Sequence, residues 1–279
     1  MPPRDVRLLV LDLDGTVVGE DNCITPAVKS AIQAVQQQGI QVAIATGRMY
    51  RSALRFYQEL ALTLPLLSYQ GAWIQDPHTG QRHRHWPVAP ERALELLDYF
   101  EQADLRPHLS VHFYLDDQLY VQEMRPDTDQ YAKRTLIEPI VVDDLRTVLD
   151  QTQVAPTKVL AVSEDPAIVE TMLFTLQKRY SRNELYLTRS APIYFEATNP
   201  QVNKGVAVQY LAEEVLGLTP AQVVAIGDNY NDLEMLQYAG VGIAMGNAPL
   251  AVQQQADWVA PSVEEDGVVT AIKTWVLGE

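Results

Sequence analysis

The chain has 279 residues, 47% of them hydrophobic and 20% charged, an ordinary globular composition with enough apolar residues for one large core or two average ones. Lysine and arginine number 21 against 36 aspartate and glutamate, a formal net charge of −15, which opposes any broad phosphate-neutralising surface and excludes nucleic acid as an expected partner. The one cysteine, Cys23, allows neither an intrachain disulfide nor a cysteine-based zinc framework, so an anionic substrate would have to meet its counter-charge locally, on side chains or a hard cation.

The first apolar run, "LLVLDLDGTVV" from Leu8 to Val18, meets Asp12 too early for a secretion signal, and no later run approaches a membrane span. A cytoplasmic protein with no membrane partner is expected. The run reads as a buried strand. Asp14-Gly15 is also a hairpin-turn signal, but "VVGEDNCI" just downstream fits a small hairpin better, with its turn at Gly19 to Asn22. Thr25-Pro26 supplies a helix cap and a first-turn proline. Val28, Ile32 and Val35 follow at helical spacing, and Gly39 ends the helix. "IQVAIAT" is a strand, "GRMYRSALRFYQEL" a helix and "LPLLSY" a third strand. Strands and helices alternating over short connections predict a parallel α/β sheet.

"QDPHTG" reads as a turn into the strand-like "QRHRHWPV", and from Pro90 the texture changes. "PERALELLDYFEQAD" reads as a helix, "LSVHFYLDDQLYVQE" as a hairpin turning at Asp116-Asp117, and a short breaker-rich helix follows. Strand "TKVLAVS", helix "PAIVETMLFTLQKRYS" and strands "ELYLTR" and "IYFEAT" complete a segment that reads as a separate α+β unit, inserted over residues 82–191. The last third resumes the first rhythm: helix "KGVAVQYLAEEVLG", strand "QVVAIGD", helix "NDLEMLQYAG", strand "VGIAMG", helix "APLAVQQQA" and a final helix near "DGVVTAIKTWVL".

Asp12, Thr46 and Asp228 all fall at carboxyl ends of strands, where open parallel sheets bind ligands. Residues two apart on an extended chain face one side, so Asp12 and Asp14 share a pocket while Leu13 packs away from it. Close carboxylates resist joint ionisation unless a cation lies between them, and oxygen ligands without cysteine or histidine favour Mg²⁺ over zinc. "ATGR" and "NPQVNKG" add a hydroxyl, backbone N–H groups and a lysine, which suit phosphoryl oxygens. Each residue also has a plainer use. Thr46 before Gly47 would close a strand, and Asn231 and Asp232 would cap a helix. Lys204 at a helix start is opposed by the helix dipole, which points to duty elsewhere. Glu196 either pairs with Lys204 or faces water. His78, His83, His85, His108 and His112 read as surface or packing residues.

Four ordered stretches, "DLDGT" at Asp12–Thr16, Thr46 in "ATGR", Lys204 in "NKG" and "GDNYND" at Gly227–Asp232, resemble the motifs of the haloacid dehalogenase (HAD) superfamily of phosphotransferases. The long insertion between the second and third, with the tail "EEDGVVTAI", resembles the Cof-type phosphatases, whose caps are of the α+β class called C2B. The resemblance implies an α/β fold, with a Rossmann-like parallel-sheet core of residues 1–81 and 192–279 and an inserted C2B cap of residues 82–191. It implies a Mg²⁺-dependent phosphatase acting on a small phosphorylated metabolite, a sugar phosphate or phosphorylated cofactor, as a monomer or weak homodimer. By the same resemblance Asp12 is the nucleophile that becomes an aspartyl-phosphate, and Asp14 is the general acid and base. Mg²⁺ is held by Asp12, the Asp14 carbonyl and Asp228, with Asp232 and Asn231 completing the metal shell. Leu13 N–H, Thr46, Gly47, Lys204 and Asn231 hold phosphoryl oxygens. The cap chooses the substrate, with His112, Tyr114, Tyr120 and Arg125 as candidates. One departure is Gln70-Gly71-Ala72, where the family usually has Asn-Gly-Ala, and it bears on contacts near the pocket mouth. The rivals are a phosphomutase or other phosphotransferase on the same scaffold and a non-catalytic phosphate-binding regulator.

Overall fold

The computed structural model describes residues 5–279, so the first four residues of the N-terminal stretch read against a secretion signal lie outside it. The chain divides into two compact units. The first comprises Met1–Gly47, Ala53–His83 and Asn203–Glu279; the second comprises Arg84–Val202 together with Arg48–Ser52.

The first unit begins with β1 (Leu8–Leu11), α1 (Pro26–Gln37), β2 (Gln41–Ile44), α2 (Tyr50–Glu59), β3 (Leu66–Ser68), β4 (Trp73–Gln75) and β5 (Arg82–His85), the strand in which the unit boundary falls. The second unit carries α3 (Pro90–Phe100), β6 (Ser110–Leu115), β7 (Gln118–Val121), α4 (Pro126–Thr135), β8 (Ile140–Val141), α5 (Leu145–Thr152), β9 (Lys158–Val162), α6 (Pro166–Arg179), β10 (Tyr186–Ala191) and β11 (Tyr194–Thr198). The first unit resumes with α7 (Lys204–Gln209), β12 (Val223–Gly227), α8 (Leu233–Tyr238), β13 (Val241–Ala244), α9 (Leu250–Gln253), β14 (Trp258–Val259) and α10 (Gly267–Ile272).

The first unit is built on a five-stranded parallel sheet in the order β14-β13-β12-β1-β2. All four β1 residues are buried: Leu8 and Val10 enter the core shared with Ala207, Val208 and Met235, and Leu9 and Leu11 face the other way. A parallel strand covered on both faces has to be apolar throughout, which is why β1 shows no alternation. Thr25 caps α1 by accepting from Val28 N at 3.2 Å, as its sequence position predicts.

The expected third parallel strand is different. β3 is linked by an isolated parallel bridge, Leu67 to Ala45 just past β2, and its strand pairing is instead in an antiparallel three-stranded sheet with β4 and β5. The expected turn at Gly19 to Asn22 forms, with Asn22 N donating to the Gly19 carbonyl at 3.1 Å, but no strand ladder flanks it over "VVGEDNCI". The Leu13 carbonyl accepts from Thr16, Val17 and Val18 N–H at 3.2, 2.9 and 2.8 Å, winding the chain into a tight turn, and only a single bridge joins Asp14 to Val18.

In the second unit a six-stranded sheet runs β10-β11-β9-β6-β7-β8. One face packs Phe113, Val159, Ala161 and Phe195 against α3, α5 and α6. The pairing of β11 with β10 and β9 places Tyr194–Thr198 in this sheet, so the second unit extends beyond residue 191 to Val202. The breaker-rich stretch holds two helices, α4 and α5, separated by β8. Left-handed residues at Leu136 and Gln153 end these helices where a glycine signal would have been sought.

Candidate active site

The in-register pairs Leu11↔Ile226 and Leu11↔Ile44 level the ends of β1, β12 and β2. Asp12 and Asp228 follow β1 and β12 directly and Thr46 lies two residues past β2, so the topology collects them at one sheet edge. Asp12, 5% exposed, is tied to the sheet by Asp12 N donating to the Ile226 carbonyl at 3.0 Å.

Lys204, 1% exposed, closes the first contact. Its Nζ donates to Asp12 Oδ1 at 2.6 Å and to Asp232 Oδ1 at 2.5 Å. The other Asp232 oxygen accepts from Asp228 N and Asn229 N, both at 2.9 Å, so this carboxylate braces the Gly227–Asp232 loop and leaves α8 uncapped by its side chain. Carboxylate oxygens of Asp12, Asp228 and Asp232 lie within 4.8 Å of one another, all buried. The Asp14 carboxylate is not among these three; it is half-buried, and its charge acts on Asp12.

Burial, then the Asp232 charge, pushes the Asp12 carboxyl up to about 7 against the pull of Lys204. Burial, then Asp12 and Asp232, holds Asp228 well above the usual carboxylate range. Burial opposes the charge on Lys204, but Asp12 and Asp232 outweigh it and keep the ammonium protonated above the usual lysine range. One ammonium is too little for this set of carboxylates, and Asn231 adds a buried Oδ1 with no hydrogen-bond partner among the described residues. That donor set fits a hard divalent cation such as Mg²⁺. Both Asp232 oxygens already accept strong hydrogen bonds, one from Lys204 Nζ and the other from Asp228 N and Asn229 N.

Two residues were missed by sequence reasoning. Thr16 Oγ1 donates to Asp228 Oδ1 at 3.4 Å, and Asn247 Nδ2 donates to the Gly15 carbonyl at 2.9 Å and toward Asp228 Oδ2 at 3.5 Å. Asn247 follows the end of β13, in "MGNAP", and that strand-end position was the available signal. Thr46 is buried, its N–H donating to the Leu67 carbonyl and its carbonyl accepting from Gln70 N, both at 2.9 Å. Leu13 is wholly buried and Gly47 half-buried. Gln70 is also wholly buried, where a contact at the mouth was expected.

Within the second unit Glu196 pairs with Lys158 at 3.3 Å and accepts from Ser190 Oγ at 2.7 Å, so neither alternative read from the sequence, Lys204 or water, holds. His112 and Tyr114 share one face of β6, opposite Phe113; His112 Nε2 meets Thr128 Oγ1 at 3.0 Å, and Tyr114 donates to Tyr131 at 2.8 Å. Arg125 instead donates to the carbonyls of Arg106, Pro107 and Leu109, and Tyr120 packs on the apolar core, so both serve the unit's own structure.

A family model described as haloacid dehalogenase-like hydrolase matches residues 9–272. The chain is 30% identical over 277 residues to the 5-amino-6-(5-phospho-D-ribitylamino)uracil phosphatase YitU of Bacillus subtilis, covering 96% of this chain and 97% of the relative. It is 28% identical over 277 residues to the pyridoxal phosphate phosphatase YbhA of Escherichia coli, covering 97% and 99%. A crystal structure of a haloacid dehalogenase-like hydrolase from Bacteroides thetaiotaomicron superposes with a TM-score of 0.81 at 27% identity, covering 96% of this chain and 99% of that one. With the family model spanning nearly the whole sequence, and curated phosphatases matching end to end, the chain belongs to the haloacid dehalogenase-like hydrolase family.

Proposed function

We propose that this enzyme is a Mg²⁺-dependent phosphatase that hydrolyses a small phosphorylated metabolite through a phosphorylated Asp12. The observation that carries the reading is the buried ammonium of Lys204, 2.6 Å from Asp12 Oδ1 at the end of β1, beside the Asp228 carboxylate. An Asp12 oxygen attacks phosphorus as the ester P–O bond breaks, and Asp14 gives its proton to the leaving oxygen. Asp14 then takes a proton from the water that attacks the aspartyl-phosphate, so orthophosphate leaves and both carboxyl groups are restored. Mg²⁺, held by Asp12, Asp228 and the Asp14 carbonyl, would neutralise charge on the transferred phosphoryl group. Lys204, Thr46, the second Nδ2 hydrogen of Asn231 and the N–H groups of Leu13 and Gly47 hold its oxygens, and Asp232 keeps Lys204 and the Asp228 loop in place.

Residues 84–202 form the substrate-choosing unit in this reading, with His112 and Tyr114 on its polar sheet face. The names of two relatives, a pyridoxal phosphate phosphatase and a ribitylamino-uracil phosphate phosphatase, support a phosphorylated small molecule as substrate. The test is a panel of phosphomonoesters headed by those two compounds, with orthophosphate release measured with Mg²⁺ and with EDTA. Release without any added acceptor, abolished by EDTA and restored by Mg²⁺, is expected. Transfer only to a second sugar hydroxyl would indicate a mutase, and no release across the panel would overturn the reading.

A further inference from the structure

Residues Tyr69, Gln70 and Gly71 all have left-handed backbones, with φ of 52°, 61° and 96°. Neither a tyrosine nor a glutamine adopts that conformation without strain, and such strain persists only where surrounding contacts impose it. Tyr69 and Gln70 are fully buried, so the turn is a fixed part of the interior. Its contacts run in three directions. Gln70 N donates to the Thr46 carbonyl at 2.9 Å, Gln70 Oε1 accepts from Asn231 Nδ2 at 3.1 Å, and Gly71 packs on Ala207 in α7, the helix that starts at Lys204. The carboxamide also lies against the Gly47 α-carbon: a β-carbon there would be 2.5 Å from Gln70 Nε2.

We infer that Gln70 is a positioning residue which brackets the Thr46-Gly47 strand end and the Asn231 side chain in the geometry that grips a phosphoryl group. The inference rests on the phosphatase reading above. By accepting one Nδ2 hydrogen, Gln70 sets which way the Asn231 amide points, and the second Nδ2 hydrogen is then the one that can donate to a phosphoryl oxygen. The backbone bond and the covered Gly47 α-carbon hold the strand end where the Thr46 hydroxyl and the Gly47 N–H are needed.

Gln70→Met has nearly the same length and the same backbone demand but no hydrogen-bonding atoms. Gln70→Asn keeps the amide and suits a left-handed backbone better. With a substrate that wild type hydrolyses, Gln70→Met should lose about tenfold or more in kcat/KM, on the scale of losing a group that orients a ligand-binding side chain. Its inhibition constant for orthophosphate should rise with that loss. Gln70→Asn should retain several-fold more activity than Gln70→Met. Gln70→Met and Asn231→Ala should combine less than additively in orthophosphate affinity, because each removes the same bond. A Gln70→Met enzyme with wild-type kinetics, or full additivity with Asn231→Ala, would overturn the bracket. A Gln70→Asn enzyme no better than Gln70→Met would also overturn it, since a packing role does not distinguish amide from thioether in that order. Absence of turnover in wild type itself would instead strike the phosphatase reading, and calorimetric titration of orthophosphate into wild type and Gln70→Met would still decide the bracket.

Discussion

The Lys204 ammonium lies 2.6 Å from Asp12 Oδ1 across 192 positions of sequence, and the same nitrogen holds Asp232. Removing it leaves buried carboxylates uncompensated, which costs about 3–5 kcal/mol when one member of a buried pair is deleted. Lys204→Met should therefore lower the melting temperature markedly and reduce turnover by at least about 100-fold, the scale of losing one preorganised charge stabiliser. Lys204→Arg should not restore activity, because a planar guanidinium does not replace a compact ammonium between two carboxylates. Thermal melts and steady-state kinetics of the two variants check this.

Asp12→Asn and Asp14→Asn should both abolish turnover, for different reasons. The first removes the proposed attacking oxygen and one carboxylate of the buried cluster, so Mg²⁺ affinity should fall as well. The second removes a proton carrier whose carboxylate lies outside that cluster, so calorimetry should find Mg²⁺ affinity within a few-fold of wild type. Turnover retained by Asp12→Asn would refute the covalent route.

Binding of Mg²⁺ to the folded chain alone should stabilise it, by about 2.7 kcal/mol at one hundred times the dissociation constant. Gly15→Ala should erase that shift. Gly15 has φ of 81°, and an added β-carbon would lie 2.3 Å from Asp228 Oδ2, displacing the carboxylate proposed to hold the ion. Melts with EDTA and with excess Mg²⁺, for both proteins, are the measurement.

His112 makes stability depend on acid. Burial first, then the nearby Lys158 charge, pushes its pKa from 6.5 down to about 3, and the groups packed on its ring are the Thr128 hydroxyl and the Tyr131 ring. The unfolded chain takes up a proton below 6.5 and the folded chain does not. This contribution is therefore complete above that pH and is lost as pH falls toward 3, amounting to about 2 kcal/mol at pH 5. His112→Gln should flatten the melting temperature between pH 6.5 and 4 relative to wild type. Parallel acid limbs for the two proteins would contradict the assignment.

Much of the candidate site was legible before any coordinates. An apolar run ending in Asp12, a strand ending at Thr46 and another ending in Asp228 announce a parallel sheet with its ligands at one edge, because strand period and chain order are local properties. The cap on α1 was legible for the same reason. The expected hairpin failed because the Leu13 carbonyl takes up three N–H groups that a ladder would need. The α4–β8–α5 stretch was blurred because Leu136 and Gln153 adopt left-handed backbones without glycine.

The amino-acid sequence alone determined the α/β order, the inserted unit and the residue types of the proposed phosphoryl-transfer site, since each is written in neighbouring positions. Tertiary structure decided the partners. Glu196 takes Lys158, 38 positions away, leaving Lys204 to Asp12 and Asp232. Gln70 takes Asn231, 161 positions away, through a backbone that no local propensity favours. Those choices follow from which buried polar atoms the packed sheet brings within hydrogen-bond reach. A buried donor, acceptor or charge left unmatched costs more free energy than local preference supplies, so long-range packing has the final say.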